Sequence, residues 1–201
     1  MEARERVILK SVELFTKSGI RLVTMDQIAS AVGMSKRTIY ELFRDKDELL
    51  QHCIEWLNKQ HENELSEIIS SSENAIEALY LIGQHGEKKK AGINRLFFED
   101  LEKLYPDLKQ LIIRNNNPGN ESISYMILKR GIMEGIFRKG LNLSIVDTFI
   151  LEMMKMVHNT EIFQDMSNSR ELIENIVIPY FRGISTHKGM ELIEKHFPFQ
   201  L

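Results

Sequence analysis

Four basic side chains, Lys36, Arg37, Arg44 and Lys46, fall between Gly33 and Lys46, against only Glu41 and Asp45. Side chains of this kind hold phosphate oxygens, and the arginine fork matches the O6 and N7 acceptors of guanine. Ser35, Thr38 and Tyr40 stand among them. Their hydroxyls can reach phosphates, and Thr38 can meet a thymine methyl group. The chemistry on offer is recognition by charge and hydrogen bonding. Nothing in the chain points to catalysis: there is no nucleophile elbow, phosphate loop or dinucleotide fingerprint. The six histidines show no paired metal-ligand spacing with carboxylates or with Cys53. No catalytic residue, metal or cofactor is expected.

Side chains can recognise a surface only if something presents them, and the flanking pattern supplies it. Val7, Ser11, Leu14 and Phe15 share one helical face, and Gly19 is a natural stop. Thr24 sits at an N-cap position, and Gln27 three residues on completes a capping box. Met25, Ile28, Ala29 and Val32 form the inner face of a short second helix. Gly33 permits a left-handed turn, and Ser35 can cap a third helix. In that helix Ile39 and Phe43 point inward and leave Lys36, Arg37 and Tyr40 elsewhere. Asp45 caps a long fourth helix running to about Ile69. Two short helices around a tight glycine turn make a helix-turn-helix, whose second helix enters the DNA major groove.

Beyond Ser70-Ser71-Ser72 the periodicity stays helical. Ser72 with Glu73 is expected to open a helix through Ile82, followed by one carrying Ile93 to Leu104. Pro106 can open another, and Asn115 to Gly119 is the strongest breaker. A helix then runs from Ile123 through Ile136, with Gly131 and Gly135 easing its packing. Ser144 to about Phe163 and Ser169 to about Ile184 are the last two long helices. Pro179 is awkward in the second, at a cost of ~3 kcal/mol in a helix interior. In the tail, Gly189 to Leu201, one more short helix is expected before Pro198. The expected fold is all-α, with residues 1–46 as the helix-turn-helix DNA-binding domain and residues 47–201 as a larger helical domain, which the family resemblance given below makes the ligand-binding and dimerisation domain.

The 201 residues carry a net charge of −3, which argues against a nonspecific coater of nucleic acid. Nine basic against eight acidic residues lie in residues 1–50, and 17 against 21 in residues 51–201. A small basic footprint on a mildly acidic body suits sequence-specific binding. One cysteine allows no intrachain disulfide, the start lacks an apolar signal region, and no run approaches a membrane span. A cytoplasmic protein without membrane contact is expected.

The N-terminal pattern resembles the TetR family of bacterial transcriptional regulators. The resemblance rests on Leu14-Phe15, Gly19, Thr24, Ile28-Ala29, Gly33, Ser35, Thr38, Ile39-Tyr40, Phe43, Lys46 and Leu49, across about residues 5–50. It implies a homodimer on a palindromic double-stranded DNA operator, usually a repressor, released by a small-molecule effector bound in the C-terminal domain. Lys36 and Arg37 would then read bases. Thr24, Ser35, Thr38, Tyr40 and Lys46 would hold phosphates or thymine methyls. Glu41 and Leu42 depart from the family pattern. Glu41 would repel a phosphate, accept from a cytosine amino group, or pair with Arg37 one turn away.

For the effector the candidates are Phe97, Phe98, Tyr125, Met126, Met133, Met154 and His158, since a methionine-rich surface adapts to varied ligands. Core or dimer packing is the competing use of each. An activator of the same fold remains open beside a repressor. A helical enzyme or carrier would need a catalytic constellation, and an architectural DNA protein a larger basic excess.

Overall fold

The computed structural model describes residues 2–108, 122–157 and 169–198, without the side chains of 169 and 170. Every regular element in them is helical, and one antiparallel bridge joins Phe137 to Ser185. The helices are α1 (Ala3–Ser18), α2 (Met25–Val32), α3 (Lys36–Leu42), α4 (Lys46–Ser71), α5 (Ala75–Ala91) and α6 (Arg95–Leu104). After them come α7 (Ile123–Met133), α8 (Leu143–Val157), α9 (Ser169–Leu172), a π-helical stretch Ile173–Val177, α10 (Ile178–Ile184) and α11 (His187–His196).

The described residues fall into two compact units. One holds residues 2–64 and 86–108, the other residues 65–85, 122–157 and 169–198. The unit containing the helix-turn-helix is therefore larger than residues 1–46, because it takes in much of α4 and all of α6. Its core gathers Val7 and Phe15 of α1, Ile28 and Ala29 of α2, Ile39 and Phe43 around α3, Leu49, Leu50, Cys53 and Ile54 of α4, and Phe97 and Leu101 of α6. Burying a side chain of this size contributes ~1.5–3 kcal/mol. Gly19 ends α1 at φ +86°, and an added Cβ would lie 2.9 Å from Leu96 Cβ. Asn94 ties the same corner, donating from Nδ2 to Lys17 O at 2.9 Å while its Oδ1 caps α6.

In the second unit several elements depart from their expected form. Asn74, not Ser72, caps α5: its Oδ1 accepts from Ile76 N and Glu77 N, both at 3.0 Å. The Ser72 hydroxyl donates to Ile69 O at 2.8 Å and closes α4 instead. α7 stops at Met133 and does not run through Ile136, because Gly135 turns the chain at φ +71° and Ile136 N donates back to Gly131 O at 2.8 Å. That reversal drives Phe137 over Gly131, where an added Cβ would sit 2.2 Å from the ring. Only a glycine leaves space there, whereas Gly135 is needed for its backbone.

Asn142 caps α8, with its Oδ1 accepting from Ile145 N at 3.2 Å. The helix expected over Ser169–Ile184 is interrupted by five π-helical residues, and Pro179 then falls at the second position of α10. The run stays helical on both sides of it, and the wider π-helical turn just before Pro179 is where the missing N–H is accommodated. α11 starts at His187 under a Thr186 cap, earlier than the expected Gly189. Leu111, Ile112, the Asn115–Gly119 breaker, His158 and Phe163 lie outside the described residues.

Candidate nucleic-acid interface

The α2–α3 turn is built from local bonds. Thr24 Oγ1 accepts from Gln27 N at 3.2 Å, and Gln27 Oε1 accepts from Thr24 N at 2.8 Å, a complete capping box. Gly33 takes φ +68°, ψ +35° at the end of α2 and lets Met34 N reach Ala29 O at 2.9 Å. Ser35 Oγ accepts from Thr38 N at 3.1 Å and shares a 2.9 Å hydroxyl bond with Thr38 Oγ1. Ile39 and Phe43 are buried. Helical periodicity then leaves Lys36, Arg37 and Tyr40 exposed, with Tyr40 at 45%.

Most cations around this face have partners. Lys36 Nζ lies 2.8 Å from Asp26 Oδ1, and the hydrogen bond to Asp26, then its charge, raises the Lys36 pKa. Arg37 Nε donates to Glu41 Oε1 at 2.9 Å, the i, i+4 pairing open from the sequence. Arg44 Nε donates to Asp45 Oδ2 at 2.7 Å. Asp45 Oδ1 caps α4 by accepting from Glu48 N at 2.8 Å. This backbone bond, and next the Arg44 contact, lower the Asp45 pKa.

Lys46 differs from the other three. Its ammonium donates to Ile20 O at 2.6 Å, lies 5.9 Å from the Phe15 ring centroid, and is half-buried. Desolvation lowers its pKa.

Two further cations went unremarked in the sequence because their partners are distant. Arg6 donates to Val32 O at the end of α2, at 2.7 Å. Arg4 donates to Leu42 O at the end of α3, at 3.2 Å, and lies 4.6 Å above the Phe43 ring. Each satisfies a helix-end carbonyl that has no partner within its own helix. They tie α1 to the ends of α3 and α2.

Residues 8–53 match the model of the bacterial regulatory proteins of the tetR family. A curated relative, the HTH-type transcriptional repressor KstR2 of Mycobacterium tuberculosis, is 24% identical over 144 residues, covering 68% of this chain and 70% of that protein. The helix-turn-helix region of the chain is that of the TetR family. The chain is a helix-turn-helix transcriptional regulator, and its relatives are regulators, not enzymes. The same fold recurs in a transcriptional regulator from Cytophaga hutchinsonii, at TM-score 0.67 and 22% identity, over 90% of this chain and 98% of that one. It recurs again in FadR from Bacillus subtilis, solved in complex with stearoyl-CoA, at TM-score 0.58 and 22% identity, over 85% and 95%.

The residues expected to take an effector lie in both units, Phe97 and Phe98 in the first and Tyr125, Met126, Met133 and Met154 in the second, with His158 outside the described residues. Phe97 is buried in the core of the first unit, and Phe98 meets it edge-on at 5.5 Å from the half-open surface. Met126 and Met133 line an open groove of about 470 Å³ in the second unit, with Lys129, Arg130 and Glu134, and Met133 is 80% exposed. Tyr125 is half-buried, and Met154 packs against the second core. A larger open cleft of about 800 Å³ in the first unit is lined by Arg44, Asp47, His52, Tyr105 and their neighbours, and by none of the seven. There Tyr105 donates to Asp47 Oδ1 at 3.0 Å, and desolvation first, then that carboxylate, raises its pKa to about 12.

Proposed function

We propose that two copies of this regulator bind a palindromic DNA operator in the cytoplasm and repress transcription, and that a small-molecule effector releases them. The observation that carries this reading is the α3 face, where Lys36, Arg37 and Tyr40 stand outward on a helix anchored from below by Ile39 and Phe43. Lys36 and Arg37 take the base edges. Thr24, Ser35, Thr38 and Tyr40 take phosphates or thymine methyls. Lys46 reaches a phosphate with its side chain only after leaving Ile20 O; otherwise it contributes through the first turn of α4, where backbone N–H groups favour an anion.

One short helix reads few bases, so a second half-site about 34–36 Å away supplies the rest. Self-association has a surface available: Ile145, Phe149 and Met156 of α8 are 67%, 49% and 37% exposed, and the Tyr180 ring of α10 lies 4.6 Å from that of Phe149, tilted by 40°. Apolar side chains of this size left open together mark an interaction face. No helix among the described residues is long and apolar enough to cross a membrane.

The effector acts by population shift. It favours a conformer whose two heads no longer match the half-site spacing, and it must bind that conformer better than the DNA-bound one. Stearoyl-CoA, the ligand of FadR, is the first compound to try. Arg37→Ala should weaken operator binding by ~1–3 kcal/mol and relax specificity at one base position. Unchanged binding to the selected sequence would remove Arg37 from the reading face.

A further inference from the structure

A surface that bound DNA by charge alone would leave its cations unpaired, and this one does not. Asp26 of α2 holds Lys36 at 2.8 Å, and Glu41, one turn along α3, holds Arg37 at 2.9 Å. Arg44 is held by Asp45 at 2.7 Å, and Lys46 is turned to a carbonyl. Among the described residues from 21 to 46, Arg21 keeps an exposed side chain without such a partner.

These pairs do little for the fold. The Asp26 and Glu41 side chains are 64% and 60% exposed. Exposed ion pairs of this kind contribute little to stability. Their effect lies in what they forbid. When the face meets an arbitrary duplex, Glu41 and Asp26 repel phosphate, and Arg37 and Lys36 give up a carboxylate to gain one. A guanine edge changes the exchange, since O6 and N7 accept both arms of an arginine fork. A neighbouring cytosine amino group then donates to the carboxylate that Arg37 released. Only a G·C-bearing site satisfies both members of the Arg37–Glu41 pair at once.

We infer that Asp26 and Glu41 are specificity-determining residues, which keep the two base readers paired and exclude duplexes lacking a guanine and a cytosine amino group at the α3 contact. The inference rests on the DNA-reading role proposed above.

The test uses the full chain as wild type, Glu41→Gln, Asp26→Asn and the double variant. Each is titrated by fluorescence anisotropy against two duplexes, one enriched from a random pool by the wild type and one of random sequence, across a salt series. Each lost carboxylate frees one cation for phosphate, so the log–log salt slope on random duplex should steepen by about 0.9 per substitution. Fourfold dilution of salt should then raise each single variant's random-duplex affinity about threefold more than the wild type's. The selected-to-random affinity ratio of the double variant should fall about tenfold. Thermal melts matching wild type show that the variants are folded. If the wild type enriches a sequence but the variants keep its slope and ratio, this inference alone is overturned. If the wild type enriches nothing, the DNA-reading role fails and the inference with it.

Discussion

In the helix-turn-helix, Arg6 and Arg4 each reach one helix-end carbonyl, across 26 and 38 residues of chain. In the second unit Arg130 alone donates to Ile69 O, Ser72 O and Ser72 Oγ, at 2.6, 2.7 and 2.8 Å and across 58 to 61 residues. It also pairs with Glu134 at 2.6 Å, and Glu134 Oε2 accepts from Ala75 N at 2.9 Å. The first region distributes its ties over several half-exposed side chains, above helices that carry their own caps. The second concentrates them on one arginine beside a glycine with a phenyl ring pressed onto it. A reading head built this way loses stability in small steps, while the Arg130–Gly131–Phe137 joint fails at single residues.

The largest effect should come from Phe137→Ala, because the ring is fully buried. Chemical denaturation should show a loss of about 3–5 kcal/mol. The same variant sharpens the comparison in a double-mutant cycle. Gly131→Ala alone forces a methyl group into the ring and should cost about 1–3 kcal/mol. With the ring gone, that cost should nearly vanish; equal costs in both backgrounds would mean that the ring does not fill the space above Gly131.

Arg130→Ala comes next. It strips charged donors from two carbonyls at the end of α4 and should lower stability by about 2–3 kcal/mol. Arg6→Ala removes one such bond and should cost about 1 kcal/mol. Equal losses would erase the contrast between the two regions.

Thr24→Ala deletes the capping box of α2 and should cost about 1 kcal/mol, read from thermal melts. Helix capping by Gln27 alone would leave the melt unchanged.

The smallest effect concerns Cys53. Burial raises its thiol pKa well above the ordinary value. The folded chain therefore keeps its proton where the unfolded thiol, with a pKa near 8.5, loses it. Stability from this group is intact below that pKa and declines as pH rises. Between pH 8 and pH 9 the wild type should lose about 0.7 kcal/mol more than Cys53→Ala. Identical pH profiles would show the thiol to be accessible.

How much of this could be read from the sequence follows the reach of each interaction. The Thr24–Gln27 box, the Ser35 and Asp45 caps, the Gly33 turn and the inward Ile39 and Phe43 act within four residues or so. Residue type and spacing determine them, and the structure shows each. Arg4, Arg6 and Lys46 bond partners at least 26 residues away, and nothing in their neighbourhood signals it. Lys46 is expected from the sequence to hold a phosphate, and its bond to Ile20 O is not legible there for that reason. Ser72 and Asn74 are both good caps at nearly the same place, and only the packing of α5 chooses between them. Gly131 was legible as a close-packing position, but its partner Phe137 was not, because the reversal at Gly135 was hidden inside a helical pattern. Phe97 in a core and Met133 on a surface carry the same periodic signal, so spacing alone does not separate a packing side chain from an open one.

Selection of duplexes from a random pool by the full-length wild-type chain tests the proposed reading head most directly. An enriched palindrome is expected, its half-sites centred about one helical turn, ~34–36 Å, apart or a multiple of it, with a guanine and a neighbouring cytosine in each half. No enriched sequence, or a single half-site without its mirror image, would contradict a paired, base-reading α3.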